Sequence, residues 1–125
     1  MRKLLEVKVK LGANEYKLNP LSLYILKSLA EKPKNGYDIL KEIRKLTDGR
    51  WVPPKSTIYP TLKKMVQQGL LNVDEHGLYT ITEEGRKLLN KIIESKEELE
   101  ILKENVRLIE KLIESVASEG DGSST

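Results

Sequence analysis

The chain contains no cysteine and no phenylalanine, and only one histidine, one tryptophan and two methionines in 125 residues. Without cysteine there are no disulfides and no thiolate chemistry. With five tyrosines and one tryptophan as the only aromatics, the core has to be built from leucine, isoleucine and valine. No apolar run approaches the roughly 18 residues that a membrane span needs. The opening MRKLLEVKVKL is too often broken by charge to act as a signal sequence, so no membrane partner and a cytoplasmic location are expected. HExxH, GxGxxG and P-loop patterns are missing as well, and the lone His76 sits among the acidic residues of a turn. The expectation is therefore a protein that is not an enzyme, with no catalytic residue, metal or cofactor.

What is present is charge, 33% of the chain, unevenly spread. Residues 1–70 carry 15 Lys and Arg against 6 Asp and Glu, a balance of +9; residues 71–125 carry 7 against 13, a balance of −6. Such asymmetry marks a basic working half and an acidic remainder, and a nucleic acid is one partner that fits. The length suits one domain with an appended helix.

Leu5, Val7, Val9 and Leu11 alternate with Glu6, Lys8 and Lys10, a period of two that fits a half-buried strand. Gly12-Ala13-Asn14 turns the chain, and 15–18 returns as a second strand, with a short helix over 2–10 as the competing reading. Asn19-Pro20 opens a helix with a cap and a first-turn proline; Leu21, Ile25, Leu26 and Leu29 form its stripe. Asn35 caps the next helix, whose stripe is Ile39, Leu40, Ile43 and Leu46. A third helix starts at Ser56 or Thr57 and stops at Gly69. Strands over 70–74 and 78–81 follow, joined by the tight turn Glu75-His76-Gly77. Thr82 caps a last helix that runs without Gly or Pro from Arg86.

In the third helix, at about 100° per residue, Ile58, Leu62, Met65 and Val66 share one side. Lys55, Ser56, Thr57, Pro60, Lys63, Lys64 and Gln67 take the other side or its ends, and Tyr59 lies on the flank. Lysine suits phosphate, glutamine and threonine suit base edges, and Pro60 adds an apolar contact with no competing donor. Three helices followed by a short hairpin form a winged helix-turn-helix, in which the third helix enters the major groove. The expected architecture is mainly α (α+β): an N-terminal extension with a hairpin (1–18), a winged-helix DNA-binding domain (19–82), a dimerisation helix (83–117) and a disordered tail (118–125).

The blocks Asn35-Gly36-Tyr37-Asp38-Ile39, Gly49-Arg50-Trp51, Ser56-Thr57-Ile58-Tyr59-Pro60-Thr61-Leu62, Gly69-Leu70-Leu71 and Tyr79-Thr80-Ile81-Thr82-Glu83-Glu84-Gly85-Arg86 resemble the PadR family of transcriptional regulators. The resemblance covers residues 20–90. It implies a homodimeric winged-helix repressor with a C-terminal dimerisation helix, and it places Tyr59 and the start of the third helix at double-stranded DNA. The angular reading leaves Tyr59 either on a phosphate or against the wing. Tyr37 and Trp51 match family positions and are expected in the core. Two departures stand out. The wing tip Asp74-Glu75-His76-Gly77 is short and acidic where the family's is often longer and basic, and residues 1–18 have no family counterpart. That segment covers the core, pairs with a partner subunit, or offers Lys8, Lys10 and Lys17 to phosphate.

Leu88, Ile92, Leu99, Leu102, Val106, Ile109, Ile113 and Val116 fall on steps of three and four, with Ser95 filling one step. This is a heptad seam on one helix, widened by Ile101, Leu108 and Leu112, and expected to meet a second copy. The leading function is a sequence-specific regulator, most simply a repressor on a pseudo-palindromic operator. A chromatin-type architectural protein with little sequence preference and a protein-docking module are the alternatives. Any small-molecule effector pocket falls between the winged domain and the C-terminal helix, and the sequence names no ligand.

Overall fold

The computed structural model describes residues 3–120. Its elements run β1 (Val7–Leu11), β2 (Asn14–Leu18), α1 (Pro20–Glu31), β3 (Lys34–Asn35), α2 (Gly36–Leu46), α3 (Lys55–Gln67), β4 (Leu71–Val73), β5 (Leu78–Ile81), α4 (Glu83–Ser95) and α5 (Glu97–Gly120). One sheet is the β1–β2 hairpin; the other has the order β3-β5-β4, all antiparallel.

Local chemistry explains most boundaries. Asn19 caps α1 in a reciprocal arrangement with Ser22, its side chain accepting the Ser22 N–H while Ser22 Oγ accepts the Asn19 N–H. Asn35 accepts the Asp38 N–H and Thr82 the Gly85 N–H, as helix caps should. Past the end of α3, Gly69 takes φ 79°, and the N–H groups of Gly69 and Leu70 close onto the Val66 and Met65 carbonyls, a Schellman stop.

The hairpin is a lid on the core. Val9 faces Tyr16 and Val7 faces Leu18, and these four side chains are buried while Lys8, Lys10 and Lys17 point outward. Tyr16 donates to Glu84 Oε2 at 2.7 Å, Lys91 donates to the Lys10 carbonyl, and Asn105 donates to the Leu4 carbonyl, so the segment is fastened to α4 and α5. The core beneath it is aliphatic, centred on Ile25, Leu26, Leu29, Ile39, Ile58, Leu62, Met65, Leu70, Leu71, Leu88 and Ile92. At the wing root, Gly85 approaches so closely that an added Cβ would lie 2.4 Å from the Leu70 carbonyl oxygen. Thr82 binds the same corner, its N–H to Leu70 O and its hydroxyl to Gly69 O.

Three expectations need correcting. The C-terminal helix is two helices: Lys96 adopts φ 59° and separates α4 from α5. Ser95 Oγ donates to Glu98, and Glu97, Glu98 and Glu100 fill the first turn of α5 where the helix dipole favours carboxylates. The segment expected to begin a tail at residue 118 is still α5, which continues to Gly120; residues 121–125 lie outside the described residues. Leu46 shares the angular position of the α2 stripe yet is 68% exposed, because the last turn of α2 runs past the core. Between α1 and α2, where the sequence marked only the Asn35 cap, lies strand β3, in which Lys34 pairs with Tyr79.

Lys34 is buried, and its ammonium has three partners for its three protons: the Ser28 carbonyl, Ser28 Oγ and the Glu42 carboxylate. Glu42 also accepts from Ser28 Oγ at 2.6 Å and Tyr24 Oη at 3.1 Å. Burial works to raise the Glu42 carboxyl, but the hydrogen bonds from Lys34, Ser28 and Tyr24 outweigh it and leave it below its ordinary value. The network bolts α1, β3 and α2 together with no buried side-chain polar atom unpaired among the described residues. Burial and then the Glu42 carboxylate push the Tyr24 hydroxyl up from 10.0 to about 12. The folded state thus favours the neutral phenol. Its contribution is fully present below the unfolded value and is lost as pH rises from 10.0 through about 12. Urea melts over that interval are expected to show falling stability in the wild type and a flatter profile in Tyr24→Phe; parallel profiles would exclude Tyr24 as the titrating group.

Candidate nucleic-acid interface

The rotation of α3 follows from its apolar side. Ile58, Leu62 and Met65 are buried, and this forces Lys55, Ser56, Thr57, Tyr59, Pro60, Lys63, Lys64 and Gln67 to remain exposed. All eight residues singled out from the sequence therefore lie on accessible surface of one helix. Among the described residues no ion pair engages Lys55, Lys63 or Lys64, so their charge is available to an external anion.

Pro60 is the sixth residue of α3 and removes the one N–H that would pair with the Ser56 carbonyl. Thr61 Oγ1 bonds the Thr57 carbonyl at 2.7 Å, covering the next exposed acceptor on this turn. The helix has no side-chain cap; Pro54, with its fixed φ, sets the entry angle instead.

Tyr59 packs on the start of α2. A Cβ built on Gly36 would fall 2.7 Å from Tyr59 Cε1 and 3.1 Å from its hydroxyl oxygen, so only glycine lets the ring lie flat against this turn. Tyr79 of β5 lies close by; burial first, and Tyr59 second, raise its hydroxyl above the ordinary value. Tyr59 is thus both braced by α2 and partly exposed, between α3 and the wing strand. The signal in the sequence was a glycine, a poor helix former, placed first in a helix directly after its Asn cap.

The wing tip remains acidic. Asp74 Oδ1 accepts the N–H groups of His76 and Leu78, both at 2.9 Å, and the Leu78 bond above all lowers the Asp74 carboxyl. This carboxylate is spent on forming the turn. Tyr37 and Trp51, expected in the core, are instead 57% and 51% exposed. Lys41 sits 5.1 Å above the Tyr37 ring. No group of three or more His, Cys, Asp or Glu side chains among the described residues is placed to hold a metal ion. Among the described residues no helix is long and apolar enough to cross a membrane.

The expected dimer seam divides. Leu88, Ile92 and Leu102 are buried in the chain's own core and Leu99 is half-buried against it, so little of their surface is left for a partner. The reason is the break at Lys96, which folds the first half of the seam onto α1 and the hairpin. Ile109 is half-buried, while Val106, Ile113 and Val116 stay exposed together with Leu108 and Leu112. These last six span an arc of roughly 160° on α5. Beside them, Leu23, Tyr24, Lys27, Leu89, Ile92, Ile93 and Leu99 line a groove of about 330 Å³ between α1, α4 and α5.

A family model described as the transcriptional regulator PadR-like family matches residues 25–91. The chain is 33% identical over 91 residues to the transcriptional regulator YqjI of Escherichia coli strain K12, a match covering 70% of this chain and 42% of that protein. This chain therefore spans less than half the length of that curated relative. Among solved structures, PadR of Bacillus subtilis in complex with p-coumaric acid is similar at 30% identity and a TM-score of 0.53, covering 58% of this chain and 43% of that one. A transcriptional regulator from Clostridium thermocellum is similar at 27% identity and a TM-score of 0.51, covering 74% and 88%.

The Gly36–Tyr59 contact is testable by a double-mutant cycle. In the wild type, Gly36→Ala is expected to push the ring outward and cost up to about 1 kcal/mol. In a Tyr59→Ala background the same change should be neutral or stabilising by roughly 0.5 kcal/mol, since only helix propensity remains. Equal effects in both backgrounds, measured by urea unfolding, would show that the ring does not depend on this glycine.

Proposed function

This chain belongs to the PadR-like family of transcriptional regulators, and from that membership we propose that it binds double-stranded DNA as a homodimer and represses transcription at a pseudo-palindromic operator. The observation that carries the reading is the α3 ridge: Lys63, Lys64 and Gln67 exposed, the two lysines in no ion pair among the described residues, on a helix whose rotation is fixed by Ile58, Leu62 and Met65. A helix of this size fits a major groove, with lysines on phosphate and Ser56, Thr57 and Gln67 in reach of base edges. Repression follows from sterics, since a dimer seated on an operator excludes polymerase. The acidic wing contributes little grip, as carboxylates beside phosphates repel.

The distal half of α5 supports the dimer. Burying a Val, Leu or Ile side chain contributes about 1.5–3 kcal/mol. Roughly half of each surface is still exposed for five such residues per chain, so a two-fold pair would gain on the order of 7–15 kcal/mol. That is on the scale of the association cost, about 4–15 kcal/mol. Two copies then offer two α3 ridges to half-sites about one turn apart. The Bacillus subtilis relative was solved with p-coumaric acid. In this chain the carbon-lined groove at Leu23, Leu89, Ile93 and Leu99, with Lys27 at its rim, is where a small effector would sit.

Lys63→Glu with Lys64→Glu is expected to reduce binding of a promoter duplex to background in a gel-shift titration, with the dimer intact. Undiminished affinity would remove α3 from the DNA surface. The wild type should prefer promoter over random DNA of equal length by at least roughly a thousandfold at near-physiological salt, whereas a ratio near one would favour the architectural alternative. For the dimer, Leu112→Asp with Val116→Asp is the informative pair, because both side chains are outside the core, at 67% and 73% exposure. Sedimentation should show a folded monomer; a persisting dimer would place the interface elsewhere.

A further inference from the structure

Trp51 is the chain's only tryptophan, and it projects from the loop between α2 and α3 with its ring half in solvent. An indole left there contributes little to the core. Its backbone, by contrast, is held: Thr47 Oγ1 lies 2.9 Å from the Trp51 carbonyl oxygen and accepts the Trp51 N–H at 3.2 Å. The loop is shaped by Asp48 and Gly49 at φ 53° and 74°, and it is anchored on its far side by buried Pro53. A pinned backbone carrying an exposed, rigid, amphipathic ring is the arrangement of a contact residue, since little entropy is lost when the ring is covered.

The surroundings indicate what covers it. Lys41, Arg44, Lys45, Arg50 and Lys55 lie on α2, on this loop and at the start of α3, and none is in an ion pair among the described residues. Asp48 is the one carboxylate on the loop. Trp51 and Lys55 are only four positions apart, so their Cα atoms are at most about 14 Å apart. Pro53 and Pro54 make that connection stiff, and the loop is continuous with the α3 ridge.

We propose that Trp51 is a DNA contact outside α3, its ring laid against the sugar–phosphate backbone beside a half-site, with the indole N–H donating to a phosphate and Arg50 supplying the ionic partner. This rests on the reading of α3 as the DNA-binding helix. The face of the ring suits the apolar edge of deoxyribose, and tryptophan has a donor and no acceptor, which matches an acceptor-only phosphate. The contact carries no base specificity; it fixes how far the dimer's footprint extends and adds affinity on every sequence.

The single tryptophan makes the test direct. The full chain is titrated with the promoter duplex while indole emission and the anisotropy of end-labelled DNA are followed together. Emission is expected to change with the same midpoint as the anisotropy, and acrylamide quenching should fall in the complex. Trp51→Ala should weaken promoter and random DNA alike, by roughly five- to tenfold, with an unchanged melting temperature, and Trp51→Phe should recover part of the loss. Arg50→Ala should lower the salt slope by about one. If DNA binds by anisotropy while emission and quenching stay constant, Trp51 is not a contact and the α3 reading stands. Emission from the wild type decides this even if Trp51→Ala fails to fold. If no duplex binds the wild type at all, both readings fall.

Discussion

The packing of Ile58, Leu62 and Met65 into the three-helix core is the constraint from which the rest of the molecule's surface chemistry follows. A helix residue turns by about 100°, so slipping this register by one position would bury a lysine and expose an isoleucine. The cost of desolvating an unpaired ammonium makes that slip prohibitive. Nothing specifies the outward face of α3 more strongly than the inward face does. This explains how a helix can keep two lysines, a glutamine and a mid-helix proline in water, contributing nothing to stability, and still hold them in fixed positions.

Rigidity is concentrated around that helix. The Schellman stop at Gly69, the Thr82 bonds to Gly69 and Leu70, and the close approach of Gly85 to the Leu70 carbonyl join the end of α3, the wing and the start of α4 in one corner. At the opposite side Lys34, Ser28, Glu42 and Tyr24 join α1, β3 and α2, and Gly36 lets Tyr59 lie on the start of α2. Glycines at 36 and 85 act by having no Cβ where another element must come close, which is a packing role and not one of chain flexibility.

The parts legible in the sequence are those governed by short-range rules. Asn19, Asn35 and Thr82 are caps because a side-chain oxygen can reach an amide two or three residues on, and Gly69 stops α3 because it accepts a positive φ. Alternation showed β1, and helical spacing showed the buried side of α3. What stayed hidden depends on distant partners. Strand β3 is two residues long and exists because β5 is beside it; Lys34 is buried because Glu42 and Ser28 meet it there. The exposure of Leu46, Tyr37 and Trp51 depends on where the core ends, which no periodicity records. The break at Lys96 did have a local sign. Ser95 with Glu98 three residues later is a helix-start pattern, masked by an apolar repeat that runs through it.

That break divides the work of the C-terminal half. Leu88, Leu89 and Ile92 make α4 part of the winged domain's core, so α4 and α3 are packed into one hydrophobic cluster. The distal turns of α5 carry their apolar arc away from that core, while its proximal turns are held by buried Leu102 and by Asn105 on the Leu4 carbonyl, next to the Lys96 junction and its groove. In a homodimer paired through distal α5, the angle at this junction sets the separation of the two α3 ridges. A few degrees there, acting through a helix tens of ångströms long, displaces each ridge by a distance comparable to a base-pair step. The junction is flanked by a carbon-lined groove that a small molecule can fill. If a small effector fills that groove and the chain pairs as proposed, its occupancy and the spacing of the ridges are coupled, each biasing the other by the same free energy.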